Sequence, residues 1–382
     1  MAESSSPNPT FQESNLLVSV YEHQELKFAR AFDVLRQAIA QRSFPAAAAA
    51  VTHRGKLVAL HACGRFTYEP GSTPATPESI FDLASVSKAV ATTSMAMILY
   101  QRGLLDLETP IATIVPEFME SEAREDSPRH QVTVKMLLAH SSGLPAYEKL
   151  FLRAKNREEL LAAAFATALT ADPGARAEYS DIGFIVLGVA LERLADEPLD
   201  RFCQREVFGP LGMAHTTFNP PSAWRSAIPP SADDRNFRKR IIQGEVQDEN
   251  ASVLGGVAGH AGLFASTRDI ATFANALLHG GFPLVTRETL ALFTRGEASP
   301  AGTSRALGWD TPSSPSQSGK YFSASSFGHL GYTGTSLWID PERQLSVALL
   351  TNRTWPDCKN QTIKDVRPRF HDAVIEAIEA RA

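Results

Sequence analysis

Strand-like segments lie near the two ends of the chain, and this arrangement most constrains the fold. Ala46 to Val51, the turn residues His53-Arg54-Gly55 and Leu57 to Ala62 read as a β-hairpin. Strand character returns only at Phe322 to His329, Ser336 to Ile339 and Leu345 to Thr351, which look antiparallel. Between them, from about 81 to 280, helical patterns are separated by Pro and Gly: Ser85 to Arg102, Thr133 to His140, Arg157 to Leu169, Ser180 to Leu194 and Thr267 to His279. The chain ends must therefore come together to complete a sheet, and the middle is an insertion.

The expected fold is α/β (α+β). An antiparallel sheet, built from about 19–80 and 285–382, is flanked by N- and C-terminal helices. A separate all-helical lobe spans about 81–284. Phe28, Phe32, Leu35 and Ile39 recur at helical spacing, placing the first flanking helix at about 22–42. Phe370, Val374 and Ile378 mark a closing helix, expected to open at Pro368. Residues 1–18, rich in Ser, Pro, Asn and Glu, read as a flexible tail ahead of one domain over 19–382.

Composition removes several function classes. Lys and Arg number 37 against 42 Asp and Glu, a formal net charge of −5, which is not the basic surface that nucleic-acid binding requires. The longest uncharged, largely apolar run, Ala89 to Tyr100, falls well short of the roughly 20 residues that span a bilayer, so no membrane partner is expected. The N-terminus lacks the basic start and apolar core of a secretory signal peptide, and a cytoplasmic location is expected. Cysteines 63, 203 and 358 are odd in number and far apart, which suits reduced, buried thiols rather than disulfides. No signal for an oligomeric state is present.

There is no GxSxG, HExxH, Walker loop or GxGxxG. The run Gly255 to Gly262 has the wrong spacing for a dinucleotide site, and no His, Asp or Glu cluster has metal spacing. Neither a cofactor nor a metal is expected. What remains is Ser85-Val86-Ser87-Lys88, at the start of the apolar segment Val86 to Leu99. Lys88 would sit one turn beyond Ser85 on the same face, where burial would lower its pKa toward useful base strength. A serine N-cap followed by a snorkelling lysine is the alternative reading.

Two further signals follow in order: Tyr179-Ser180-Asp181, just before a helix, and His329-Leu330-Gly331, closing a strand. Ser-x-x-Lys, then Tyr-x-Asn, then Lys-x-Gly or His-x-Gly resembles the penicillin-recognising serine hydrolases. That family includes class C β-lactamases, D,D-peptidases and β-lactamase-like (family VIII) carboxylesterases. The resemblance extends to Leu137 to Leu144, Pro210-Leu211-Gly212-Met213 and Gly262 to Asp269. Val246 to Asn250, running into Gly255 to Phe264, is similar to the subgroup near the weak penicillin-binding D,D-carboxypeptidases. Matches cover about 45–355.

The resemblance implies a serine β-lactamase-like fold, with Ser85 as the nucleophile that becomes acylated. Lys88 and Tyr179 would share the proton work, since a serine hydroxyl needs an adjacent base and a tyrosine can serve only where a cation stabilises its phenolate. The backbone N–H groups of Ser85, at a helix N-terminus, and of Tyr332, on the strand after His329-Leu330-Gly331, would form the oxyanion hole. Asp181, His329 and Gly331 would face the substrate.

Two positions depart from the β-lactamase pattern: Asp181 stands where Asn is usual, and His329 where Lys is usual. Asp181 can accept a bond from Lys88 but, when ionised, cannot donate one to a substrate amide carbonyl. A neutral histidine, titrating near 6.5 when free, offers a substrate carboxylate less charge than lysine. His140 and His260 read as structural residues, whereas Asp248-Glu249-Asn250 either faces the substrate cleft or caps a helix or loop. The expected activity is therefore hydrolysis of small carboxylic esters, with a small-molecule ester or amide as substrate and neither nucleic acid nor membrane as a partner. The alternatives are a weak β-lactamase or D,D-carboxypeptidase, an acyltransferase, and a non-catalytic ligand-binding relative.

Overall fold

Both ends of the chain meet in one six-stranded sheet. The computed structural model describes residues 17–119 and 127–380, so residues 1–16 of the expected tail lie outside the described residues. In chain order the strands are β1 (Val18–Ser19), β2 (Ala46–His53), β3 (Lys56–Gly64), β4 (Ile80–Asp82), β5 (Thr217–Phe218), β6 (Ala232–Asp234), β7 (Arg240–Ile242), β8 (Leu263–Ser266), β9 (Phe327–Leu330), β10 (Ser336–Asp340) and β11 (Leu345–Thr351). The main sheet runs β1-β3-β2-β11-β10-β9 and is antiparallel except for the β1–β3 pair. The β2–β3 hairpin closes through Arg54 and Gly55, with φ of 51° and 74°, as a two-residue turn with both φ positive requires.

The alanine run of β2 suits a strand covered on both faces. Ala47, Ala49 and Val51 pack with Phe32, Leu35, Phe370 and Val374 of the terminal helices Ala29–Ala40 and Ile363–Glu379. Ala46 and Ala48 face the larger core on the opposite side, and Ala50 meets Ala271 of the helix Thr267–Leu278. Small side chains in alternation let helices approach both faces of the strand. That last helix fell within the segment expected to form the helical lobe, yet it covers the sheet.

Four further details differ from expectation. The middle of the chain is not wholly helical: β4, β8 and β5 form a three-stranded sheet, and β6 pairs with β7. β9 starts at Phe327 rather than Phe322, because Ser323 turns back to bond the Asp340 carboxylate. Pro368 lies inside the closing helix, which begins at Ile363. A proline there leaves the carbonyl four residues earlier without its N–H, and Gln317 Nε2 donates to that Lys364 oxygen at 3.0 Å. The cysteines are free, but only Cys203 is buried; Cys63 is half-buried and Cys358 exposed.

Candidate active site

Ser85 stands between a strand and a buried helix, at a sharp corner. β4 pairs with β8 and delivers Asp82, which is 5% exposed. One Asp82 carboxylate oxygen accepts from Ala84 N at 2.8 Å, and the other accepts from Gln247 N at 2.6 Å. Ala84 takes φ of 46°, a left-handed conformation that costs a non-glycine residue on the order of 1 kcal/mol. The Asp82 bond holds it there, and the chain turns so that Ser85 precedes the helix instead of opening it. Lys88–Thr93 then forms a π-helical turn before the α-helix Ser94–Gln101. Such turns recur at functional sites because they re-aim side chains within a helix.

Lys88 is fully buried, and its ammonium has three partners: Ser85 Oγ at 3.0 Å, Asp181 Oδ1 at 2.6 Å and the His260 carbonyl at 2.8 Å. Every ammonium proton is therefore used. The glycine-rich run supplies the third partner. Gly259 lies so close to the helix Asp181–Ala195 that a Cβ would sit 2.2 Å from the Phe184 carbonyl, and this packing brings the next carbonyl, that of His260, to Lys88. Burial lowers the pKa of Lys88, and the Asp181 carboxylate opposes that shift.

Tyr179 comes from the other side. Its hydroxyl lies 2.6 Å from Ser85 Oγ and 3.0 Å from Asp181 Oδ1. Ser180 caps the helix that follows, accepting from Gly183 N at 2.9 Å, and this fixes Tyr179 and Asp181 on either side of the cap. Burial first, and then the Asp181 charge, raise the Tyr179 pKa well above its ordinary value. The expectation that Lys88 would favour a tyrosine phenolate is corrected here, because Asp181 already balances the lysine. Asp181 itself belongs to this proton network, with its Oδ1 bonded to Lys88 and Tyr179.

The third segment reaches the serine through its backbone. Thr333 Oγ1 donates to the Asp82 carbonyl at 2.7 Å and Thr335 Oγ1 to the Leu83 carbonyl at 2.8 Å, fastening the 331–335 turn to the residues before Ser85. A Cβ on Gly331 would lie 2.4 Å from Leu83 O, so the approach needs glycine. Tyr332 lies in this turn rather than on a strand. Neither its backbone N–H nor that of Ser85 has a hydrogen-bond partner among the described residues.

His329 is 2% exposed on edge strand β9, with its ring 6.3 Å from that of Tyr179. Its Nδ1 pairs with the Leu330 carbonyl at 2.8 Å, and its buried Nε2 has no hydrogen-bond partner among the described residues. Burial, reinforced by the Lys88 charge, pushes its pKa down to about 3. The expected titration near 6.5 is thus corrected: His329 is neutral throughout the physiological range. His140 accepts from Ser180 N at 3.0 Å and packs against Tyr179 and Phe184, the structural role read from the sequence.

Arg305 escaped the sequence reading. It pairs with Asp310, and its guanidinium lies 5.6 Å from the Tyr179 ring centre. The segment around it shows no periodicity that marks an inward arginine. Behind the lysine, His260 Nε2 pairs with Asp248 Oδ1 at 2.9 Å, and Asp248 also caps the helix Glu249–Val253 through Ala251 N.

A sheet between terminal helices, a helix-rich lobe and a serine touching a lysine and a tyrosine define a β-lactamase-like serine hydrolase. Residues 31–364 match the Beta-lactamase family, and the chain belongs to that family. A Salmonella agona (strain SL483) protein named "Putative D-alanyl-D-alanine carboxypeptidase" is 32% identical over 308 residues, 73% of this chain and 70% of that one. Among solved structures, EstCE1, a hydrolase with promiscuous acyltransferase activity, superposes with a TM-score of 0.75 at 22% identity, covering 92% of this chain and 99% of its own. A class C β-lactamase from Rhodobacter sphaeroides gives a TM-score of 0.71 at 20% identity, with coverage of 92% and 99%. No helix among the described residues is long and apolar enough to cross a membrane.

Proposed function

We propose that this chain hydrolyses small, uncharged carboxylic esters through an acyl-enzyme on Ser85. The observation that carries the reading is the Ser85 hydroxyl, held between Lys88 at 3.0 Å and Tyr179 at 2.6 Å beside a neutral His329. Lys88 in its neutral form takes the serine proton as Oγ bonds to the ester carbonyl carbon. Burial favours that neutral form. The carbonyl oxygen gains the charge, and the N–H groups of Ser85 and Tyr332 receive it. As the ester C–O bond breaks, Tyr179 gives its proton to the leaving alkoxide and regains one from Lys88. Water then repeats the sequence on the acyl-enzyme, releasing the acid and restoring Ser85.

A second reading, a D,D-carboxypeptidase, is favoured by the name of the 32% identical relative. It requires a cation for the terminal carboxylate of the peptide, and the nearby Arg305 already has Asp310 as its partner. Intact-mass analysis after incubation with p-nitrophenyl butyrate, a D-Ala-D-Ala peptide and nitrocefin, with turnover followed in parallel, separates the readings. The expected result is an acyl adduct on Ser85, absent in Ser85→Ala, with the ester turned over fastest. Faster release of D-alanine, or an adduct mapping elsewhere, overturns the proposal.

A further inference from the structure

Two buried arginines stand behind the turn that carries Tyr332. Arg367, on the closing helix, is 5% exposed; one of its nitrogens, Nη2, donates to Gly331 O at 2.6 Å and to Thr335 O at 2.9 Å. Arg353, 3% exposed, donates through Nε to Tyr332 O at 2.7 Å, and its guanidinium lies 4.5 Å from the Tyr332 ring centre. Neither arginine is paired with a carboxylate among the described residues. Burying a cation without a counter-ion is costly, and among the described residues the cost is offset by backbone carbonyls and, for Arg353, by the face of the Tyr332 ring.

The carbonyl that Arg367 holds belongs to the same peptide group as the Tyr332 N–H. In a trans peptide the C=O and N–H point in opposite directions within one plane, so anchoring the oxygen aims the N–H. Gly331 O also accepts from Gly334 N at 3.0 Å, which leaves the plane little freedom. A cation on the oxygen also draws electron density from the nitrogen, making the N–H a stronger donor to a developing negative charge.

We propose that Arg367 is the positioning residue of the oxyanion hole, fixing and polarising the Gly331–Tyr332 peptide so that the Tyr332 N–H meets the tetrahedral intermediate. This rests on the assignment of Ser85 and Tyr332 to acyl transfer. Burial and the Arg353 charge bring the Arg367 pKa down to about 9, so the guanidinium stays protonated near neutrality. A purely structural arginine would affect stability. A positioning arginine affects the step in which charge appears on the carbonyl oxygen.

The test compares wild type, Arg367→Gln and Arg367→Lys with p-nitrophenyl butyrate and with phenylboronic acid, whose adduct on Ser85 is tetrahedral and anionic. Active sites are counted by fluorophosphonate titration taken to completion, and Tm is measured for each protein. Wild-type acylation at Ser85 is established first; its absence would defeat the parent proposal before any variant is made. With it in hand, Arg367→Gln should lower kcat about 10–100-fold per titrated site, with KM nearly unchanged, and weaken boronate binding by a similar factor. Arg367→Lys, which keeps a cation, should recover part of both losses and carries the test alone if the glutamine variant does not fold. A kcat per site and boronate affinity equal to wild type in the variants, whatever their Tm, would overturn the role of Arg367 and leave the ester-hydrolase reading intact.

Discussion

Asp181→Asn separates the two jobs of the buried carboxylate, because the amide keeps an acceptor oxygen for Lys88 and Tyr179 while losing the charge. The Lys88–Asp181 contact is 2.6 Å with the lysine fully buried. At that distance, an effective dielectric constant of about 20 gives a gross attraction of about 6 kcal/mol. Opposite charges at such range move a pKa by roughly 1–3 units, or about 1.4–4 kcal/mol. Asp181 raises the Lys88 pKa against the lowering effect of burial, so its neutralisation should let that pKa fall further. If neutral Lys88 is the base, kcat/KM rises with pH as the ammonium loses its proton, and Asp181→Asn should move that rise to lower pH by about 1–3 units. The plateau should drop as well, because a lysine of lower pKa is a weaker base. The two profiles, measured as acylation by p-nitrophenyl butyrate between pH 5 and 10, should therefore cross. Parallel profiles, or a rise displaced to higher pH, would refute the assignment of Lys88 as the base.

Gly331→Ala would place a methyl 2.4 Å from Leu83 O and 1.9 Å from Thr335 Oγ1, forcing the turn away from the serine; kcat should fall about 10²-fold or more, measured with Tm as a control, and an unchanged kcat would sink the backbone account of this turn. His329, with its pKa down to about 3, is fully deprotonated above pH 5, so His329→Gln should add or remove no limb of the kcat/KM profile between pH 5 and 8, and a step near 6.5 that vanishes in the variant would contradict its burial.

Motif order made Ser85, Lys88 and Tyr179 legible, because each motif is local: one helical turn, one helix cap, one strand end. Long-range contacts were harder to read. Asp181 was legible as an acceptor for Lys88 and as a residue facing the substrate; its second bond, to the Tyr179 hydroxyl, was not, because a two-residue separation in sequence does not show where the two side chains meet. His329 looked titratable because burial cannot be read from a strand of four residues. Pro368 looked like a helix start because the compensating bond comes from Gln317, far from it in sequence. The inward-facing Lys88 stood out on an apolar helix. Arg367 carried the same signal, on the face shared with Phe370, His371 and Val374, and was obscured by the charged residues around it.

The two departures from the family pattern act in the same direction on charge. A site with asparagine at 181 and lysine at 329 would hold two cations, Lys88 and the lysine on the edge strand, and would suit an anionic substrate. Here Asp181 balances Lys88, and His329 is neutral, which lowers the local charge by two units. Arg305 does not restore it, because Asp310 is its partner. A carboxylate entering this cleft would lose its hydration and, among the described residues around Ser85, find no free guanidinium or ammonium in exchange, a loss of about 1.5–3 kcal/mol relative to a charge-assisted bond. A neutral ester loses nothing of the kind. The positive field that remains comes from Arg353 and Arg367, behind the turn, where it reaches charge created during reaction on the carbonyl oxygen rather than charge carried in by the substrate.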